Sequence, residues 1–366
     1  MEKFTQSILG VAAITIAAML VVCDNNGSKA QEKDFRSSMI NLKNDLETGL
    51  PQQREEPFEL RSFRPSIGDD WIGNAVAYGC YRTGQAPGQK GPSNAELLED
   101  LNIIAKHWTL IRVYGADGDT RRILELIADH KLPLKVLQGI WLAPEEDNLD
   151  QRKANVGQVL MAIELAQLYS DIVLAIGVGN ETQVSWSGHK MNPENLIRYI
   201  RAVRNNVSVP VTTADDYLYW NKPESRRLTA ETDFVFAHIH PLWNGKTLDR
   251  AIGWIDEIYH ELQDIHPDRM VVIGETGWAT DYSRDKTGPG EQGTLIKGEV
   301  GLDAQAAFLI QLNQWVDSNR VTTFLFEAFD ESWKGAPEPD EVEKHWGVFN
   351  EDRTAKKSFL KYQDRH

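Results

Sequence analysis

Ile172-Val173-Leu174-Ala175-Ile176-Gly177-Val178 is an unbroken apolar run that stops at Gly179-Asn180-Glu181-Thr182. A strand with one face in water alternates apolar and polar residues. A continuous run is the pattern of a strand buried on both faces, hence of a parallel sheet covered by helices. The same kind of segment recurs on either side. Ile72–Tyr78, Thr109–Tyr114 and Leu134–Ile140 precede it, and Val209–Thr213, Phe234–His240, Met270–Glu275 and Val321–Phe326 follow. Helix-periodic stretches lie between them: Asn94–His107, Asp119–His130, Ala154–Tyr169, Pro193–Asn205, Leu248–Ile265 and Asp303–Ser318. Several open on helix-start signals, at Ser93, Asp119 and Asn192-Pro193. The link between the fifth and sixth strands is short and weakly helical. Eight βα units predict an α/β fold of the (β/α)8 TIM-barrel class. The rival is a doubly wound open sheet. No G-x-G-x-x-G turn follows the first strand, and the count of eight favours the barrel.

Composition narrows the partners. The 366 residues suit one large domain with an appendage, and 41% are apolar, enough for a sizeable core. A net charge of −15 without any lysine or arginine block excludes nucleic acid, whose binding rests on cationic neutralisation of phosphates. A neutral substrate is indifferent to that charge, and an anionic one is repelled. The two cysteines, Cys23 and Cys80, make neither a disulfide framework nor a zinc site.

The first residues read as an address. Ile8–Val22 is apolar and uncharged after Lys3, shorter than the ~20 residues a membrane span needs, and fits the core of a secretory signal. Leu20-Val21-Val22-Cys23 resembles a bacterial lipobox, with Val22 where Gly or Ala is usual. Residues 1–23 are therefore expected to form a signal segment, with a lipid anchor at Cys23 holding an exported lipoprotein in a bacterial cell envelope. Cleavage after Ser28-Lys29-Ala30, giving a soluble periplasmic or secreted protein, is the alternative. Residues 24–65 read as a polar linker with little fixed structure beyond a short helix near Phe35–Leu46, and residues 66–366 as the catalytic domain.

In a barrel of this kind, chemistry collects where strands end. Those ends carry Tyr78, Arg112-Val113-Tyr114, Trp141, Asn180-Glu181, Asp215-Asp216-Tyr217, His238-Ile239-His240, Glu275-Thr276-Gly277-Trp278 and Glu327 to Lys334. Glu181 and Glu275 stand out, because each follows a wholly apolar strand, where an unpaired charge is costly. A single glutamate there is most simply a loop or ion-pair residue. Two of them, after strands four and seven, can face each other across the barrel mouth. That is the arrangement of a glycosidase whose carboxyls lie ~5–5.5 Å apart.

At these residues the chain resembles glycoside hydrolase family 17, the β-1,3-glucanases and related glucanosyltransferases. Ile176-Gly177-Val178-Gly179-Asn180-Glu181 looks like its V-G-N-E motif, and Val272-Ile273-Gly274-Glu275-Thr276-Gly277-Trp278 like its E-T-G-W motif. Ile111-Arg112-Val113-Tyr114 fits its second strand. Phe329-Asp330-Glu331-Ser332-Trp333-Lys334, followed by Glu343-Lys344-His345-Trp346-Gly347-Val348-Phe349, resembles its C-terminal signature. The resemblance implies Glu275 as nucleophile and Glu181 as acid/base, its pKa raised by burial and a nearby charge. Glu331 and Lys334 would position or tune the nucleophile, and no metal or cofactor would be needed. His238-Ile239-His240-Pro241 departs from the plant N-x-Y-P motif, and Trp333 replaces a plant Gln, which places the resemblance nearer the bacterial branch.

Substrate contacts are expected from Tyr78, Tyr114, Trp141, Asn180, Trp186, His240, Trp243 and Trp278, with Trp278 foremost because it follows the nucleophile. Trp333 also lies among the strand-end loops. Trp71, Trp108, Trp254 and Trp315 read as core. The His238-x-His240 pair alone could suggest a metal-dependent hydrolase, but further ligands at other strand ends are wanting. The leading expectation is retaining hydrolysis of laminarin-like β-1,3-glucan by a monomer. The alternatives are a β-glucan transglycosylase of the cell envelope and an inactive glucan-binding lipoprotein.

Overall fold

The computed structural model describes residues 27–364, with side chains from residue 34 onward. The signal segment and Cys23 lie outside the described residues. The chain divides into two compact units, Met1–Leu42 and Lys43–His366, and the barrel belongs to the second.

All eight predicted strands form: β1 (Asn74–Ala77), β2 (Leu110–Val113), β3 (Lys135–Ile140), β4 (Val173–Asn180), β5 (Val211–Asp216), β6 (Phe234–His238), β7 (Met270–Thr276) and β8 (Thr323–Leu325). Each pairs in parallel with the next, and β8 returns to β1, closing a (β/α)8 barrel. The double burial inferred from apolar runs holds: β2, β5, β6 and β8 are buried at every position. Ala75, Leu110, Leu137, Ala175, Ala214, Phe234, Phe236, Val272 and Phe324 fill the interior.

Several helices begin at residues whose side chains cap them. Ser93 and Glu96 form a reciprocal capping box at Asn94–Ile104, and Asn192 caps Pro193–Arg204 with Pro193 in its first turn. Asp117, two residues before the expected start, caps Gly118–Asp129 by accepting from Asp119 N and Thr120 N. The fifth crossover is reduced to the short helices Tyr217–Trp220 and Arg226–Thr229.

The linker reading does not hold for residues 51–65. The helix Gly27–Glu47 opens the described chain, longer than the one expected near Phe35–Leu46. After it, the extended segment is bound to the base of the barrel. Phe63 stacks on Phe234 at 4.8 Å and joins the interior cluster. The Arg204 guanidinium lies 4.0 Å over Phe58 and donates to Glu59 O. Arg61 N donates to Asp233 Oδ1 at 2.8 Å, and Asn205 Nδ2 to Gln53 O at 3.0 Å. Two aromatic anchors outweigh the polar composition around them.

Candidate active site

Both candidate carboxylates sit where a strand breaks register. Between β4 and β5, Gly177 pairs with Thr212 but Asn180 with Ala214. The chain there passes through the left-handed region, at φ +82° for Gly179 and +50° for Glu181. A Cβ at Gly179 would also lie 2.9 Å from Thr182 Cγ2, so the turn tolerates little but glycine. Between β6 and β7, Ala237 pairs with Ile273 and His238 with Glu275, skipping Gly274. Such bulges re-aim a side chain. Here they accompany both glutamates at the barrel mouth.

Glu275 is buried and gripped from the ends of two strands, β2 and β6. Its Oε1 accepts from Arg112 Nη1 and from the Tyr114 hydroxyl, both at 2.9 Å. Its Oε2 lies 3.3 Å from His240 Nε2, and its Oε1 3.4 Å from His238 Nε2. Burial by itself would raise this carboxyl, but His238, Arg112 and His240 together outweigh it and hold it well below the usual carboxylate range. A carboxylate kept ionised in a dry pocket is suited to attack an electrophilic carbon.

Glu181 is the more open of the two, its side chain 31% exposed against 9% for Glu275. Its Oε1 lies 3.4 Å from His238 Nδ1, so one imidazole ring stands between the carboxylates. Asn180 is fixed beside it, its Oδ1 accepting from Arg112 Nη2 at 2.6 Å, which orients the amide nitrogen away from the guanidinium. Behind Glu181 lie two further acids of β5. Burial pushes Asp215 up to about 8, although it accepts from Gln183 N and Asp216 N. Burial pushes Asp216, which lines the cleft, up to about 6.

Glu331 and Lys334 line the same cleft, but their own bonds run elsewhere than to Glu275. Lys334 Nζ instead bridges Glu331 Oε2 at 2.8 Å and the buried Glu327 Oε2 at 2.6 Å. Trp333 Nε1 donates to Glu331 Oε1 at 2.9 Å. The carboxyl of Glu331 rests against Gly79, where a Cβ would come within 2.2 Å of Oε2. The direct contacts on Glu275 come from Arg112, Tyr114, His238 and His240.

The carboxylates open into a cavity of about 940 Å3. Every substrate-contact candidate lines it except Trp278. Trp278 is buried, donates from Nε1 to Glu299 O at 2.9 Å and packs on Phe308 at 5.3 Å, so the foremost aromatic candidate is core. The backbone forces this. Gly277 lies so close to β8 that a Cβ would fall 2.0 Å from Phe326 O, leaving the next side chain to point behind the sheet. Tyr78 contributes to the wall, but its hydroxyl is spent on Asp100 Oδ2 at 3.1 Å. The Tyr114 hydroxyl reaches Glu275 itself. Trp141, half covered by His189 at 4.4 Å, and Trp186, 58% exposed, form one aromatic wall beside Glu181. Trp333 and Tyr81, edge-on at 5.8 Å, form another. Trp108 and Trp254 are core as expected, whereas Trp71 and Trp315 are only half-buried.

Two residues not singled out as contacts from the sequence also line the cavity. Trp346 packs on His240 at 5.2 Å, and half-buried Glu343 faces Lys334 and His240. Both lie in the C-terminal signature. Arg112 and His238 were legible as polar residues interrupting apolar strands, the same signal that singled out the glutamates.

The profile of the family described as BtgE/BtgC glycoside hydrolase domain matches residues 75–347. A putative glucan endo-1,3-beta-glucosidase btgC of Aspergillus niger is 30% identical over 286 residues, 73% of this chain and 40% of that protein. A glucan 1,3-beta-glucosidase of Arthroderma benhamiae is 29% identical over 306 residues, 78% of this chain and 92% of its own length. The chain thus spans about two fifths of the btgC relative. Among solved structures, an endo-laminarinase from Formosa Hel1_33_131 superposes with a TM-score of 0.69 at 24% identity, covering 80% of this chain and 88% of that one. A family 17 β-1,3-glucanosyltransferase from Rhizomucor miehei gives 0.61 at 22%, covering 78% and 95%. Both share the barrel.

Proposed function

The chain belongs to the BtgE/BtgC glycoside hydrolase domain family, and from that premise we propose that it cleaves β-1,3-linked glucan by double displacement. Glu275 attacks the anomeric carbon while Glu181 protonates the departing oxygen. Glu181 then acts as base, drawing a proton from the incoming water as the glycosyl–Glu275 ester opens. The observation that carries this reading is the grip on Glu275, which keeps it a carboxylate within one imidazole of a second, more open glutamate. Retention over inversion rests on the resemblance of the two glutamate motifs to family 17, and the anomer first released distinguishes the two outcomes. Asn180, oriented by Arg112, would bond a hydroxyl of the sugar under attack.

Transfer to a second sugar is the other outcome of the same intermediate. Trp141, His189 and Trp186 in the cavity lining offer stacking surface to a second sugar, whether it leaves or accepts. Laminari-oligosaccharides decide between them: shorter products alone mean hydrolysis, longer ones mean transfer, and unchanged substrate returns the chain to a binding role. Glu275→Ala should lower turnover on the order of 10^4-fold or more. A variant retaining most of its activity sinks the assignment.

Export and lipidation at Cys23 remain part of the proposal and rest on residues 1–23 alone. Palmitate labelling of the expressed chain, lost in Cys23→Ser, is the expected result. The bacterial placement rests on His238, His240 and Trp333; the curated relatives named above are fungal.

A further inference from the structure

His238 is fully buried, and its two ring nitrogens meet different partners. Nδ1 lies 3.4 Å from Glu181 Oε1. Nε2 lies 3.0 Å from Arg112 Nη1 and 3.4 Å from Glu275 Oε1. Which nitrogen carries the proton follows from what these neighbours can do. A guanidinium has only donors. The two hydrogens of Arg112 Nη1 are shared among Glu275 Oε1, Gly274 O and Nε2, and an N–H on Nε2 would face the guanidinium donors at 3.0 Å and be repelled, so Nε2 presents its lone pair. The ring proton then sits on Nδ1, and its one acceptor within reach is Glu181 Oε1.

We propose that His238 is a positioning residue for the acid/base glutamate, held by Arg112 as the neutral Nδ1–H tautomer so that Glu181 Oε1 is an acceptor and Oε2 carries the transferable proton. This rests on the double-displacement reading above. A carboxyl offers its proton from either oxygen, and only one orientation faces the glycosidic bond. A donor fixed on Oε1 excludes the unproductive choice. In the first step the Oε2 proton passes to the glycosidic oxygen as its bond to the anomeric carbon breaks and Glu275 bonds that carbon. In the second, Oε2 takes a proton from water. The Nδ1 proton stays on the ring throughout, so His238 relays nothing. A neutral His238 gives up the share of the hold on Glu275 that its charge would supply and leaves that hold to Arg112, Tyr114 and His240.

The tautomer is read directly by nitrogen-15 NMR of the full chain labelled at histidine, assigned by loss of the signal in His238→Phe. An Nδ1–H, Nε2-lone-pair pattern is expected. An Nε2–H or doubly protonated ring overturns the proposal, whatever the substrate proves to be. Kinetics on laminari-oligosaccharides supply the second arm, with folding of each variant checked by thermal melting. His238→Phe should lower kcat about 100-fold and leave KM within about threefold, the scale of impaired general acid catalysis. A dinitrophenyl laminaribioside, whose leaving group needs no proton, should be cleaved with a smaller loss. His238→Asn, whose amide nitrogen overlays Nδ1, should regain most of the rate, and His238→Gln, whose amide overlays Nε2, should not. Equal losses on both substrates, or rescue by Gln and not Asn, mean the ring serves Glu275 and overturn the proposal. Failure of wild type to act on any β-1,3-glucan, with the tautomer as expected, counts against the function and not the geometry.

Discussion

Arg112 is the residue on which the site's electrostatics turn. Its guanidinium is 3% exposed and donates to Glu275 Oε1, Gly274 O and Asn180 Oδ1, with the rings of Tyr114 and Phe236 packed at 4.6 and 4.7 Å. Removing one partner of a buried ion pair leaves the other charge uncompensated, a loss of about 3–5 kcal/mol. Arg112→Met should therefore unfold at markedly lower urea. It should also change the pH dependence of any activity that remains. The carboxyl of Glu275 is depressed in the folded chain, so its ionisation favours folding above the unfolded carboxyl range and that support is lost as pH falls through the folded value. Without Arg112 the folded value rises, and the acid limb of kcat/KM moves toward neutrality. An acid limb that stays in place shows the other neighbours suffice. His238 and Arg112 were legible only as polar breaks in apolar strands. What they touch depends on two bulges, and a bulge leaves no mark in residue order.

At the scale of elements, the strands were legible because double burial writes itself as a continuous apolar run, and β1 to β8 all appear where such runs stand. The loops were less so. Trp278 and Trp186 make the contrast. Adjacency in sequence to a reactive residue gives Trp278 nothing, because Gly277 passes against Phe326 O and the indole turns onto the helix Leu302–Asn319 through Phe308. Trp186 projects from the loop after β4, and that loop is latched to the preceding one by Glu146 Oε1, which accepts from Asn192 N at 2.9 Å. Trp278→Ala should cost about 3–5 kcal/mol of stability, as for a buried large aromatic. Trp186→Ala should move stability by no more than ~0.5 kcal/mol, as for a surface site, while raising KM for long oligosaccharides more than for short ones. Thermal melts and a chain-length series check both. Comparable destabilisation by the two would return Trp186 to the core.

The whole molecule carries a charge of −15, and the cleft concentrates it. Asp117, Asp119, Glu181, Asp216, Glu275, Glu331 and Glu343 line the cavity, and among the described lining residues Lys334 is the one lysine or arginine. A low-dielectric cleft lined by one sign focuses its field on whatever enters. Composition had already separated neutral from anionic substrates, but only the folded chain places the acids around one cavity. Lightly carboxymethylated β-1,3-glucan should therefore bind less well than neutral laminarin, by about tenfold or ~1.4 kcal/mol at low salt. The gap should narrow as salt shortens the Debye length below ~10 Å. It should narrow again below pH about 6, where Asp216, raised to that value by burial, takes up its proton. Steric interference by the added groups would persist through both changes. The comparison is made on KM for the two polymers across salt and pH, and equal KM values at low salt would mean that the acids around the cleft are neutralised by partners such as Arg112, Arg122 and Lys334 and exert no field on the substrate.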